Sequence, residues 1–219
     1  MKILAVIPAR SGSKGVVNKN IREVCGKSLI RIAYDASEKS GIFDDIYLAS
    51  DSHNYFKSLI NTKVKIFHRQ SNLTEDESTI ADLMSEMWDI INNYDIFCLL
   101  QPTSPLRTHF HIKEAYKQYI SSNKTTLASV CKVKYKPELL YCNVDNENVK
   151  LIDNSGSNRQ SYKTYYQLNG AIYFCDKKRA LEGKLIDTNP SLFEMSEDCS
   201  LDIDEEKDFM KAESLMNKI

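Results

Sequence analysis

Apolar and polar positions follow two different periods along the first 135 residues of the chain. Short continuous apolar runs, such as KILAVI and DIFCLL, are typical of strands that are buried on both faces. Longer segments with apolar residues every three or four positions, such as SLIRIAYDASEKSG, indicate helices, and Gly41 would end this one. The alternation of the two patterns predicts an α/β fold with a mainly parallel sheet and helices on both of its faces.

Further strands are predicted at DDIYLAS, KVKIF, TTLASVCKV, GAIYFC and SLDID. Helices are predicted around 54–60, 80–91, 112–120 and 205–219, and the apolar stripe that includes Met84, Met87 and Trp88 is assigned to the core. Residues 135 to about 168 are instead rich in Asn, Asp, Ser, Lys and Tyr, with two weak strand patterns, LLYCNV and VKLID. We therefore predict one domain over residues 1–219 with an inserted segment at approximately 135–168.

Composition narrows the classes of function. The formal net charge of −1 over 219 residues argues against a nucleic-acid-binding protein, which would carry a basic excess. No apolar run approaches the roughly 20 residues that a membrane span requires, so no membrane association is expected. The six cysteines are scattered and are not spaced with the four histidines, which indicates reduced thiols, no zinc site and a cytoplasmic protein.

Polar residues follow three of the predicted strands where each strand ends. They are the loop PARSGSKGVVNKN, the residues from Asp51 onward, and the loop QPTSPLR. In an open parallel sheet, ligands bind outside the carboxyl ends of the strands. The three loops therefore predict one binding site at this edge of the sheet.

The first of these loops has the ingredients of a phosphate site without either familiar glycine signature. Its glycines would let backbone N–H groups converge on phosphate oxygens, and Arg10 and Lys14 would neutralise negative charge. An ordinary solvated loop with surface lysines explains the same composition, and the residues alone do not decide between the two.

Asp202 and Asp204 stand two positions apart in SLDID, so their side chains share one face at a spacing of roughly 6–7 Å. Such a pair could bind Mg²⁺, which takes one or two carboxylates and completes its shell with water and phosphate oxygens. The alternative is an acidic amino terminus for the last helix, to which Glu205 and Glu206 also belong. QPTSPLR likewise has two interpretations: a loop stiffened by two prolines around Gln101, or a sharp strand-to-helix connection.

In this order and spacing, IPARSGSKG with NKNI, GKSLI, YLASD, LLQPTSPLR, LNGAIYF and SLDID resemble the acylneuraminate cytidylyltransferase family, the CMP-sialate synthetases. The resemblance extends over nearly the whole chain. It implies a Rossmann-like nucleotidyltransferase fold and transfer of CMP from CTP to the anomeric hydroxyl of a sialic acid or related nonulosonic acid, with release of pyrophosphate. It also implies Mg²⁺ and a homodimer.

The resemblance further assigns roles to individual residues. For the triphosphate these are Arg10, Ser11, Ser13, Lys14 and Asn20, with Arg10 and Lys14 also catalytic. For the cytosine the residue is Arg69, and for the ribose it is Ser78 or Thr79. For the acceptor sugar they are Gln101, Arg159, Asn169 and Tyr173. Asp202 and Asp204 would carry Mg²⁺ and complete the reacting geometry.

The chain departs from the family pattern at Val17 and Gln70, where proline is frequent, and at Gln167, where sialate enzymes often have a second arginine. The last change leaves the acceptor open between N-acetylneuraminate and a bacterial relative such as legionaminate. Two alternatives stand beside this function: a cytidylyltransferase for another keto-sugar acid such as 3-deoxy-manno-octulosonate, and a non-catalytic nucleotide-binding regulator. The inserted segment matches the region that family members exchange across a dimer, so Arg159 would lie beside or complete a neighbour's pocket.

Overall fold

A computed structural model describes residues 1–12, 15–69, 79–133, 141–143, 149–151 and 164–217 of the chain. The strands of the large sheet are β1 (Ile3–Pro8), β4 (Asp45–Ser50), β5 (Lys65–His68), β6 (Ile96–Leu99), β7 (Thr126–Lys132), β10 (Tyr166–Asp176) and β11 (Ser191–Glu194). The described residues also contain two small antiparallel pairs: β2 (Glu23–Val24) with β3 (Lys27–Ser28), and β8 (Tyr141–Asn143) with β9 (Val149–Leu151). The two weak strand patterns of the insert thus form a hairpin.

The large sheet has the order β11–β7–β10–β6–β1–β4–β5. The pairs β1–β4, β1–β6, β4–β5 and β7–β11 are parallel. β10 runs antiparallel to both of its neighbours, β6 and β7. The predicted mainly parallel α/β sheet is confirmed.

The helices are α1 (Leu29–Ser40), α2 (His53–Lys57), α3 (Ile80–Glu86), α4 (Trp88–Ile91), α5 (His109–Ser121), α6 (Lys177–Leu181) and α7 (Glu206–Met216). The ends of α1 agree with its sequence, since the Ser28 side chain accepts from the Arg31 N–H and Gly41 takes a left-handed φ of 65°. One apolar core joins α1 and α5 to the sheet, and a second joins α3, α4 and α6 to the opposite face. Helices therefore cover both faces, as predicted.

Two sequence-based expectations are wrong. SLDID is not a strand: residues 201–204 have no regular secondary structure and pair with none of the described strands, and the Ile203 N–H donates to the Thr103 carbonyl at 2.8 Å. We call these residues the acidic segment. The predicted long helix around 80–91 breaks at Met87 into α3 and α4, which leaves Trp88 48% exposed although Met84 and Met87 are buried.

A third apolar cluster fixes the acidic segment in place. Leu201 and Ile203 pack with Leu106 of the QPTSPLR loop (residues 101–107), with Val16 and with Phe209 of α7. The alternation of buried and exposed side chains predicted for SLDID thus holds, and both aspartates point away from this cluster.

Cys25, Cys98, Cys131, Cys175 and Cys199 form no disulfide with one another. Within the described part of the chain, none of the helices has the length and apolar character that crossing a bilayer would require.

Candidate active site

Two of the three polar loops predicted to meet at the carboxyl edge of the sheet, the amino-terminal loop and QPTSPLR, line a cleft of about 640 Å³, whereas Asp51 is not part of its lining. Its volume falls in the range typical of small-molecule sites. Seven of the residues that the family resemblance singled out line it: Arg10, Asn20, Arg69, Thr79, Gln101, Asp202 and Asp204. Pro8, Gly15, Lys19, Ile80, Pro102 and Thr103 complete the lining.

The amino-terminal loop, which follows β1, is fixed by two polar contacts. The Asn20 side chain is buried, and its Nδ2 donates to the Arg10 carbonyl at 3.1 Å. Ser11 is turned toward Asp51, because its N–H donates to one carboxylate oxygen at 2.9 Å and its hydroxyl to the other at 2.5 Å. Asp51, which follows β4, therefore orients the loop that carries Arg10 into the cleft.

Lys19 joins the amino-terminal loop to the acidic segment. Its Nζ donates to the Ile203 carbonyl at 2.7 Å and to Asp204 Oδ1 at 3.0 Å. The Lys19 side chain is only 13% exposed, whereas that of Asp204 is 74% exposed. Lys19 was not among the predicted site residues. It belongs to the NKN segment of the predicted phosphate loop, and its positive charge could have identified it as a further phosphate-binding residue.

The carboxylates of the acidic segment suit a hard cation. Surrounding protein atoms desolvate the Asp202 carboxylate and, with the nearby charge of Asp204, raise its pKa, against the opposing effect of a hydrogen bond from Thr103. No cluster of three or more Asp, Glu, His or Cys side chains able to hold a metal occurs among the described residues. Two carboxylates facing an open cleft fit Mg²⁺, which takes its remaining ligands from water and phosphate oxygens.

A buried ion pair adjoins the part of the cleft that Arg69 lines. Arg69 follows β5 and is 5% exposed, and its Nη2 lies 3.2 Å from Oε1 of Glu86 on α3. Thr79 is the amino-terminal cap of α3 and forms a reciprocal capping box with Asp82. The carboxylate of Glu86 and the first turn of α3 thus position the two residues that the resemblance assigns to the nucleoside.

Gln101 lies at the junction of the QPTSPLR loop and β10. Its carbonyl accepts from Arg107 Nη1 at 2.9 Å, and the same Nη1 donates to the Ala171 carbonyl at 2.9 Å. Gly170 directly precedes Ala171; its φ is +75°, and a Cβ at this position would lie 2.7 Å from Gln101 Oε1. A larger residue at 170 would therefore displace the Gln101 side chain.

Asn169 and Tyr173 lie behind this wall and are nearly buried. Asn169 Oδ1 accepts from the Ser129 hydroxyl at 2.6 Å and from the Ala171 N–H at 3.2 Å, and its Nδ2 donates to the Ser200 hydroxyl at 2.9 Å. Burial and the nearby charge of Asp202 raise the Tyr173 pKa, while the Gly170 N–H donates to its hydroxyl. Both side chains support the turn at Gly170, and a direct contact with the sugar stays a prediction.

Four predicted site residues lie outside the described residues: Ser13, Lys14, Ser78 and Arg159. Gln70, which replaces a proline of the family pattern, and most of the inserted segment also lie outside the described residues, so their roles stay predictions. The residues that sequence reasoning missed as site residues are Lys19, Glu86 and Arg107. Glu86 carried no sequence signal, because only the packing of α3 against the end of β5 brings it to Arg69.

Comparison with known proteins identifies the family. The family model described as "Cytidylyltransferase" matches residues 4–218. An N-acylneuraminate cytidylyltransferase of Streptococcus agalactiae serotype V is 33% identical over 216 residues, which are 96% of this chain and 52% of the relative. A CMP-N,N'-diacetyllegionaminic acid synthase of Legionella pneumophila is 31% identical over 229 residues, with 99% of this chain and 97% of the relative covered.

The chain thus spans about half the length of the streptococcal relative and nearly all of the Legionella one. Among solved structures, a CMP:2-keto-3-deoxy-manno-octonic acid synthetase complexed with CTP superposes with a TM-score of 0.73 at 15% identity. The match covers 100% of this chain and 99% of that one, and it identifies the fold as that of nucleotidyltransferases. The chain belongs to the cytidylyltransferase family.

Proposed function

We propose that this chain transfers CMP from CTP to the anomeric hydroxyl of a sialic acid or a related nonulosonic acid and releases pyrophosphate. The observation that carries the proposal is the single cleft in which the basic amino-terminal loop, the acidic segment and Gln101 meet. The names of the streptococcal and Legionella relatives support both the reaction and the class of acceptor.

The chemistry requires a negatively charged triphosphate to be held while the sugar hydroxyl attacks the α-phosphorus in line. Arg10 and Lys19 would supply positive charge at the phosphates, and Asn20 holds the backbone of Arg10 for that purpose. Fixed charges of this kind stabilise the oxygens on which negative charge develops. Asp202 and Asp204 would hold Mg²⁺, which when bound shares the charge of the triphosphate and of the leaving pyrophosphate.

The remaining residues of the cleft lining would bind the two organic parts of the substrates. Arg69, oriented by Glu86, would meet the cytosine, and Thr79 and Ile80 border the adjoining space. Gln101 would orient the sugar acid beside Asp202, since both side chains converge on Gly170. Positioning of this kind lowers the barrier because it makes the attack effectively intramolecular.

The decisive experiment gives the purified protein CTP, Mg²⁺ and a panel of acids: N-acetylneuraminate, diacetamido nonulosonates and 3-deoxy-manno-octulosonate. We expect pyrophosphate release with a nonulosonic acid and a product with the mass of the CMP-sugar. Turnover with 3-deoxy-manno-octulosonate alone would establish the alternative acceptor, and no turnover with any acid would contradict the proposal. The control is Asp202→Asn with Asp204→Asn, which should fold normally by circular dichroism and lose turnover.

The proposal extends to a homodimer and a cytoplasmic location. The dimer follows from the likeness of residues 135–168 to the segment that family members exchange, and the free thiols fit a reducing compartment. Light scattering on the purified protein would test the dimer, because it distinguishes the mass of two chains from that of one.

A further inference from the structure

Arg107 is a buried guanidinium that bridges the two walls at the Gln101 end of the cleft. It is the last residue of the QPTSPLR loop, and only 2% of it is exposed. Its Nη1 donates at 2.9 Å to a carbonyl on each wall, that of Gln101 after β6 and that of Ala171 in β10. One side-chain nitrogen thus sets the separation of two backbone segments.

The burial of this group is unfavourable for stability. Among the described residues, Nε and Nη2 of Arg107 make no hydrogen bond. Burial lowers the Arg107 pKa to about 10, so the side chain is still protonated at neutral pH. Burying a charged group is costly unless it is paired and fully hydrogen-bonded, which leaves packing alone a poor explanation for an arginine here.

The two carbonyls that Arg107 holds belong to backbone segments that adjoin the Gln101 side chain. Gly170 precedes Ala171, and a Cβ at Gly170 would lie 2.7 Å from Gln101 Oε1 and 3.6 Å from Asp202 Oδ2. The amide of Gln101 and the carboxylate of Asp202 therefore converge on one turn of β10. A shift of either carbonyl would move this amide relative to the carboxylate.

We propose that Arg107 is a positioning residue for the acceptor end of the cleft, where it holds the Gln101 loop and the Gly170 turn at the separation that orients the Gln101 amide beside Asp202. The inference rests on the proposed function, in which Gln101 contacts the sugar acid. Arg107 itself touches neither substrate.

The kinetic test uses Arg107→Met, which keeps the volume and removes the donors, and Arg107→Lys, which keeps a charged donor. Arg107→Met should raise the KM for the sugar acid roughly tenfold while the KM for CTP changes by less than about twofold, and Arg107→Lys should recover most of the loss. The matched control is Arg179→Met on α6, at the opposite edge of the sheet, where Arg179 pairs with Glu182 and Asp187. It should leave both KM values unchanged.

A double-mutant cycle shows whether Arg107 acts through Gln101. In a Gln101→Ala background, Arg107→Met should add little to the loss of kcat/KM for the sugar acid, because the group it positions is already gone. Losses that multiply would overturn the proposal, as would equal rises in the two KM values. If neither Arg107 variant folds, Arg107 is structural and the proposal is wrong.

A crystal structure of Arg107→Met separates this proposal from the proposed function. We expect the carbonyls of Gln101 and Ala171 to move apart and the Gln101 amide to leave the neighbourhood of Asp202, whether or not the wild type transfers CMP. An unchanged Gln101 would reject the role of Arg107 even in an active enzyme. Absence of wild-type turnover with every acid would instead reject the proposed function.

Discussion

Gly15 is the residue at which the amino-terminal loop meets the acidic segment. A Cβ at this position would lie 2.6 Å from the backbone carbonyl oxygen of Asp204, closer than such atoms approach. Gly15→Ala would therefore push the two segments apart and separate Lys19 from Asp204. We expect kcat/KM for CTP to fall by roughly tenfold to a hundredfold, because small misplacements of charged groups are costly in transition-state stabilisation.

Gly12 offers a matched control in the same loop. A Cβ at Gly12 would have no atom within 4 Å, so Gly12→Ala creates no collision. Steady-state kinetics of the two variants should show a far smaller loss for Gly12→Ala than for Gly15→Ala. Equal losses would indicate that loop flexibility, rather than the approach to Asp204, explains the effect.

At the scale of residues, side-chain chemistry and the resemblance of the motifs together indicated where the cleft would form. Arg10, Gln101, Asp202 and Asp204 were candidates from their types and positions, the family resemblance assigned their roles, and all four line the cleft. The partners that orient them were not predictable in the same way. Glu86 reaches Arg69 across 17 positions, and Arg107 reaches Ala171 across 64, so both contacts depend on packing that no local pattern records.

At the scale of elements, the amino terminus of α3 links stability to the nucleoside end of the cleft. The Thr79 hydroxyl accepts from the Asp82 N–H at 3.2 Å and donates to the Asp82 carboxylate at 2.8 Å. Thr79→Ala removes this cap, which typically costs about 1 kcal/mol. We expect a fall of about 2–4 °C in Tm for a chain of this size, together with a raised KM for CTP.

Thr79→Ser keeps the capping hydroxyl and removes only the methyl group, so it distinguishes the contribution of the cap from that of the methyl group. Calorimetry and CTP kinetics on Thr79→Ser should give values close to those of the wild type. If Thr79→Ser loses CTP affinity without losing Tm, then the methyl group, and not the cap, supports the nucleotide.

The errors in assigning strands from the sequence have a common physical cause. SLDID alternates apolar and polar residues as a strand does, but its apolar side chains pack against Leu106 and Phe209 instead of entering the sheet. β11 was missed because SLFE is short and its Leu192 is exposed, so the strand shows no apolar run. Periodicity reports which side chains are buried, and it does not report whether the backbone pairs with a sheet.

At the scale of the whole molecule, the near-zero net charge conceals a local concentration of charges of both signs. The chain carries 29 basic and 30 acidic residues, and one cleft is lined by Arg10 and Lys19 together with Asp202 and Asp204. Lys19 is paired directly with Asp204. A triphosphate with Mg²⁺ suits both signs of charge at once, whereas a polyanion such as nucleic acid would meet the carboxylates unscreened.

This arrangement predicts that CTP and Mg²⁺ stabilise the folded chain jointly. A ligand that binds only the folded state at 100 times its Kd stabilises it by about 2.7 kcal/mol. At a fixed protein concentration, CTP with Mg²⁺ should therefore raise Tm by roughly 5–10 °C for a chain of this size. CTP with EDTA should give a smaller shift, because the phosphates then face Asp202 and Asp204 without a cation between them. The double variant Asp202→Asn with Asp204→Asn should respond to CTP almost equally with Mg²⁺ and with EDTA, since it lacks the carboxylates that make the cation necessary. A wild-type shift that EDTA leaves unchanged would mean that the acidic segment does not share the triphosphate's cation.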